Sequence, residues 1–276
     1  MIKDIVVNLS VARDGGPASD FAVSVAGALD AHLAGIAFVY DPIVPISGTG
    51  YIPAEIIDQQ QSENEAAAKA AIARFNEAAR RAGVTAEPLT LTASMAGAGD
   101  QFARITRRFD LAIVGQGEPE TGAGDDVLAE TVLFESGRPL IVVPYIQKAP
   151  LKLDNVMVCW DGSRQAARAI GDAVPLLIKA GKVEIVIVTN ERGKQDEIEG
   201  ADMAQHLARH GLNIDVNRIA GSGIDVADAL LSHAADSGAD FIVMGGYGHS
   251  RLREFVLGGV THSILRSMTV PVLMSH

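Results

Sequence analysis

Two places in the second half of the chain hold residues able to grip an anionic ligand through the backbone. One strand-like run ends in Trp160-Asp161-Gly162-Ser163, and another ends in Met244-Gly245-Gly246-Tyr247-Gly248-His249-Ser250-Arg251. The second stretch continues through Leu252–Leu257 to Gly258-Gly259-Val260-Thr261, where a helical pattern opens. Gly245 and Gly248 allow the backbone to approach a ligand with no Cβ in the way. Gly258 and Gly259 precede a helix whose unpaired N–H groups and dipole attract an anion. Asp161, at the other strand end, can accept hydrogen bonds from a base or a ribose. In an open α/β sheet such ligands sit outside the carboxyl ends of the strands, where strand order reverses.

Each feature also has a plainer role. Glycine after a strand commonly makes a turn, and Asp-Gly-Ser before a helix commonly caps it, with Ser163 as the capping hydroxyl. Arg251 suits a bidentate phosphate contact, with His249 and Arg253 beside it, and solvated loop charge is the equal alternative. His206 and His210 stand four apart in an ordinary amphipathic helix with no carboxylate–histidine motif, so they read as surface residues. Cys159 reads as a core thiol. The acidic run Glu118 to Asp126 reads as a solvated loop rather than a divalent-cation site. There is no Gly-x-Ser-x-Gly elbow, no Walker lysine and no His/Cys cluster, so no catalytic or metal residue is assigned.

The elements that must position these residues form a repeat. Strand-like runs fall at Ile5–Val7, Gly35–Tyr40, Glu87–Leu91, Leu111–Val114 and Pro139–Val143, and again at Val156–Cys159, Val183–Val188, Asn213–Val216, Phe241–Met244 and Val270–Met274. Continuous Val/Ile-rich runs suit strands buried on both faces of a parallel sheet. Helical patterns between them imply βαβ units. Asp110-Leu111-Ala112-Ile113-Val114-Gly115 mirrors Asp240-Phe241-Ile242-Val243-Met244-Gly245. The reading is an α/β protein of two tandem five-stranded, mainly parallel sheets with flanking helices, divided into domains 1–147 and 151–276. The first half also carries an insertion from Pro42 to Pro53 and a Glu/Ala-rich helix from Ala54 to Ala82, which reads as a tolerated surface addition or a cover.

Bulk properties exclude several classes. The 276 residues suffice for two domains, and 48% are hydrophobic. A net charge of -11 and 5% aromatic residues argue against nucleic acid, which requires clustered cations or stacking platforms. No apolar run reaches the roughly 20 residues that span a bilayer. With Cys159 the single cysteine and no signal-peptide layout at the start, a cytoplasmic location is expected.

The pattern Gly245-x-x-Gly248, nine residues, then Gly258-Gly259 resembles the ATP-binding signature of the universal stress protein family. The strand-end Asp161 and the closing Val270-Pro271-Val272-Leu273 stand where that family has them. The resemblance covers essentially the whole chain as two consecutive domains, in motif for the second and in architecture for the first. It implies a flavodoxin-like or adenine-nucleotide-hydrolase-like fold. It also implies ATP, with or without Mg, as ligand of the second domain. Asp161 would meet the adenine or ribose, Met244 and Gly245 would flank the nucleotide, and Gly248, Gly258, Gly259 and Val260 would donate N–H groups to phosphate.

One departure concerns Gly259, where the family usually has Ser or Thr. The missing hydroxyl forfeits a hydrogen bond to phosphate worth roughly 1.5–3 kcal/mol. The first half departs further. Its first strand ends at Asn8-Leu9-Ser10 without the aspartate, carboxylates crowd Glu118–Asp126, and Glu130-Thr131 replaces the helix-opening glycines, so no nucleotide is expected there. The family's habit of pairing through last strands implies a pseudo-dimer within this chain, through Leu140–Val143 and Val270–Leu273, and leaves a homodimer open. The expected function is a nucleotide-binding regulator of the stress response, with a ligand-free interaction scaffold or a slow ATP hydrolase as alternatives.

Overall fold

The structure is a computed structural model that describes residues 1–12, 15–42, 53–117, 124–189, 200–221, 223, 225–248 and 259–276, with backbone alone at 124–126. In the first half the strands are β1 (Asp4–Leu9), β2 (His32–Tyr40), β3 (Ala86–Ala93), β4 (Leu111–Gly115) and β5 (Leu140–Val143). In the second they are β6 (Asn155–Cys159), β7 (Lys182–Thr189), β8 (Ile214–Ala220), β9 (Phe241–Gly245) and β10 (Val272–Ser275). The helices are α1 (Ala18–Leu29), α2 (Ala54–Ala82), α3 (Ala98–Thr106), α4 (Gly124–Glu135), α5 (Arg164–Leu177), α6 (Gly200–Ala208), α7 (Val226–Ser237) and α8 (Val260–Ser267). Among the described residues no helix is long and apolar enough to cross a membrane.

The α/β class and the parallel strands are as expected, and the two five-stranded sheets join into one sheet of ten through the pairing of last strands that the family resemblance implies. Its order is β3-β2-β1-β4-β5-β10-β9-β6-β7-β8, which reads identically, half for half, from either edge. Every pairing is parallel except the central one, where β5 and β10 run antiparallel with Val142 opposite Val272 and Ile141 opposite Leu273. The physical reason lies in the strands themselves. All four residues of β5 and of β10 are buried. As free edges they would expose apolar side chains and an unpaired ladder of N–H and C=O groups. Pairing removes both costs.

Helices cover both faces. One core is built by α1, α2, α5 and α6 with residues such as Phe21, Phe75, Ile170 and Leu207. The other is built by α3, α4, α7 and α8 with Phe102, Val132, Leu230 and Ile264. The long α2 lies so close on β2 that a Cβ at Gly35 would come within 2.7 Å of the Phe75 ring. Most of the insertion, residues 43–52, lies outside the described residues.

The mirrored aspartates explain how each half sets its switch point. The Asp110 carboxylate accepts the backbone N–H of Lys3 at 2.8 Å and of Asp4 at 3.1 Å. Asp240 accepts the N–H of Asp154 at 2.9 Å and of Asn155 at 3.3 Å. Each ties the start of the fourth strand of its half to the start of the first, and strand order reverses between those two strands. The crevice at their opposite, carboxyl ends is therefore fixed from below.

Candidate functional site

At the carboxyl ends of β6 and β9 the structure has a cleft of about 220 Å³. Asp161, Met244, Gly245, Gly248 and Val260, which lie far apart in sequence, all line it. Gly259 stands next to it as the N-cap of α8, with no side-chain cap. Gly258, His249, Arg251 and Arg253 lie outside the described residues.

The first wall is a tight turn. Gly162 has φ +75°, a conformation that favours glycine. Asp161 Oδ1 accepts the Ser163 N–H at 2.9 Å. The Ser163 hydroxyl in turn accepts the Ala166 N–H at 3.1 Å, so Ser163 is the N-cap of α5. These bonds orient the carboxylate. Its second oxygen, Oδ2, faces Gly248, where a Cβ would stand 3.8 Å away. An exposed carboxylate held in this way can accept from a ribose hydroxyl or an exocyclic amine.

The glycines of the second wall have distinct reasons. A Cβ at Gly245 would lie 2.5 Å from the Ala166 nitrogen and 2.7 Å from the Gln165 carbonyl carbon. The close approach of α5 to β9 therefore requires Gly245, whatever the cleft holds. A Cβ at Gly246 would lie 2.5 Å from Leu133 Cδ2 on α4 of the first half. Gly248 meets only ordinary contacts and leaves the space beside Asp161 open. At the start of α8 the uncapped N–H groups are the ones a helix leaves for an anion. Thr261, two residues past Gly259, lines the cleft, and its Oγ1 accepts the Tyr247 N–H at 2.9 Å.

The sequence reading missed the apolar side of the cleft. Val186 and Val188 on β7, together with Val226 and Leu230 on α7, complete the wall. Alternation along β7 would have been the signal, but the run Val183–Val188 is apolar on both faces. The one exception in that run, Glu184, is buried and sits on the same face below Val186. Its carboxylate accepts from Asn217 Nδ2 at 3.2 Å and pairs with His233 Nε2 at 3.0 Å. A lone charge inside an apolar strand was the available clue. Cys159 packs against the core as expected and, half-buried, also lines the cleft wall. Burial first, and then the nearby Asp161 charge, push its thiol up to about 12.

The first half does not repeat this arrangement. Strand register places Ser10 where Asp161 stands in the second half. Glu130-Thr131 does not open a helix as expected, because α4 begins at Gly124 and both residues fall in its interior. Gln116, which follows β4, is buried and turned to another use. Its Nε2 donates to the Leu265 carbonyl of α8 at 2.8 Å, and its Oε1 accepts the Tyr145 N–H at 3.2 Å. The acidic side chains of Glu118–Asp126 lie outside the description. His206 and His210 are exposed, with ring centroids 5.1 Å apart.

The profile of the universal stress protein family matches residues 152–276. The second half of this chain thus carries a universal stress protein family domain. A universal stress protein of Synechocystis is 27% identical over 171 residues, 60% of this chain and 57% of that relative. The match thus spans a little over half of that relative's length. A universal stress protein of Bacillus subtilis is 27% identical over 146 residues, 44% of this chain and 97% of its own length. The fold of the whole chain, both halves included, is similar to a universal stress protein structure from Archaeoglobus fulgidus. The TM-score is 0.72 at 17% identity, covering 99% of this chain and 96% of that one. The universal stress protein domain contains every site residue named above.

Proposed function

We propose that the cleft of the second half binds an adenine nucleotide, ATP in the first instance, as a regulatory ligand. The observation that carries this reading is convergence: an oriented Asp161 carboxylate, the open backbone at Gly248 and the uncapped start of α8 meet around one apolar-walled cleft at a switch point. The apolar side, with Val186, Val188, Val226 and Leu230, suits a base. Asp161 suits the donors of a nucleoside, and the helix N-terminus suits phosphate. Among the described lining residues Asp161 is the sole carboxylate, so hydrolysis would rest on it alone, and a binding role fits better than a catalytic one.

A second reading, an interaction scaffold without ligand, is favoured by Gly259, which offers no hydroxyl to phosphate. Thermal unfolding with and without millimolar Mg-ATP, ADP and AMP separates the two. Ligand at 100 times its dissociation constant adds about 2.7 kcal/mol and a shift of a few degrees. A shift abolished by Asp161→Ala supports the nucleotide site. No shift with any of the three nucleotides, and none carried through purification, would replace it with the scaffold.

A further inference from the structure

The glycine turn after β9 is not held by its own half alone. Tyr247, between Gly246 and Gly248, has φ +52°. A residue with a Cβ keeps that conformation only when its surroundings fix it. Three contacts do so. Its N–H donates to Thr261 Oγ1 at 2.9 Å. Its ring packs against Phe134 with centroids 4.7 Å apart. Its hydroxyl donates to Glu130 Oε1. Phe134 and Glu130 both belong to α4 of the first half, four residues apart and so on one helix face. Leu133, on the same helix, fills the place that a Cβ at Gly246 would need.

We propose that Glu130 is a positioning residue for the turn Gly246–Gly248 of the second half, so that α4 of the first half supports the site its neighbour carries. The inference rests on the nucleotide reading of the cleft for its functional part. The turn that sets the Gly248 backbone is anchored at one end by Thr261, itself a cleft residue, and at the other by a carboxylate from the opposite half. A hydrogen bond to an ionised acceptor is among the stronger ones available to a phenol. Glu130 also stands 3.6 Å from His262 Nδ1 on α8, so one carboxylate touches both segments that flank the cleft mouth. The first half thus lacks the aspartate of a site and supplies support to the other. Coupling of this kind is reciprocal: ligand in the cleft tightens the hold on α4 as much as α4 tightens the hold on ligand.

The test compares full-length wild type with Glu130→Ala, Tyr247→Phe and Glu130→Gln by amide hydrogen exchange and by Mg-ATP titration. Tyr247→Phe removes one hydroxyl and guards against a folding defect in Glu130→Ala. The expected result is exchange at the Tyr247 and Gly248 amides faster by roughly tenfold in Glu130→Ala and Tyr247→Phe. ATP affinity falls by a similar factor while the melting temperature stays within a few degrees. Glu130→Gln, which keeps an acceptor oxygen, recovers most of both. Unchanged exchange in both variants overturns the proposal. So does altered exchange with unaltered affinity in a protein that binds ATP. If the wild type binds no nucleotide but exchange responds as expected, the nucleotide reading fails and the hold of α4 on the loop stands.

Discussion

Asp110 and Asp240 occupy one and the same position in the two halves, each accepting two backbone N–H groups from the start of the strand beside it. For Asp240, burial raises the carboxyl above its ordinary range, against the lowering effect of the N–H groups it accepts. A raised acid binds its proton more tightly folded than unfolded, so its contribution to stability declines as pH rises through the folded value. Urea unfolding of wild type and Asp240→Asn, which cannot titrate, should show wild type gaining on the variant as pH falls through the carboxylate range. A constant difference across that range would remove burial as the dominant effect.

The central strand pair should behave as one energetic unit. Ile141 and Leu273 face each other across β5 and β10 and are fully buried in the same core. Ile141→Ala and Leu273→Ala should each cost about 2–5 kcal/mol. The double variant should cost less than the sum by at least about 0.5 kcal/mol, because the two share a contact. Additive costs in denaturant unfolding would mean that the halves are joined elsewhere.

Gly259 offers a gain rather than a loss. Its φ of -55° and ψ of 161° are open to any residue, so Ser fits the N-cap without strain. Gly259→Ser should stabilise the protein by a few tenths of a kcal/mol. If the cleft holds ATP, it should also tighten binding by about tenfold or more through a new hydroxyl–phosphate bond. Calorimetric titration of the variant would read this directly, and unchanged affinity would place phosphate away from the start of α8.

The Cys159 thiol, pushed up to about 12, should be nearly inert in the folded protein. At pH 8 its thiolate fraction is smaller than that of an ordinary cysteine by a factor on the order of a thousand. Alkylation by iodoacetamide should be slow, should accelerate with rising pH and should reach ordinary rates in urea. Fast modification at neutral pH in native conditions would show a thiolate stabilised in the cleft.

What the sequence by itself determined is what short-range pattern and chain repetition control. Apolar runs marked all ten strands to within a few residues, Ala54–Ala82 was legible as one helix, and the match between halves paired Asp110 with Asp240. Asp161 and the glycines could be named because the signature is contiguous or nearly so. Tertiary structure decided the rest. The pairing of β5 with β10 was implied by the family resemblance, but its antiparallel register, with Val142 opposite Val272, was not. That Gly245 serves the packing of α5 and Gly246 serves Leu133 depends on helices 80 to 113 residues away in the chain. The apolar wall from β7 and α7, and the reach of Glu130 to Tyr247 across 117 residues, are contacts that local periodicity does not encode. A residue's neighbours along the chain set its backbone tendency, while its use is set by groups that only folding brings within a few ångströms.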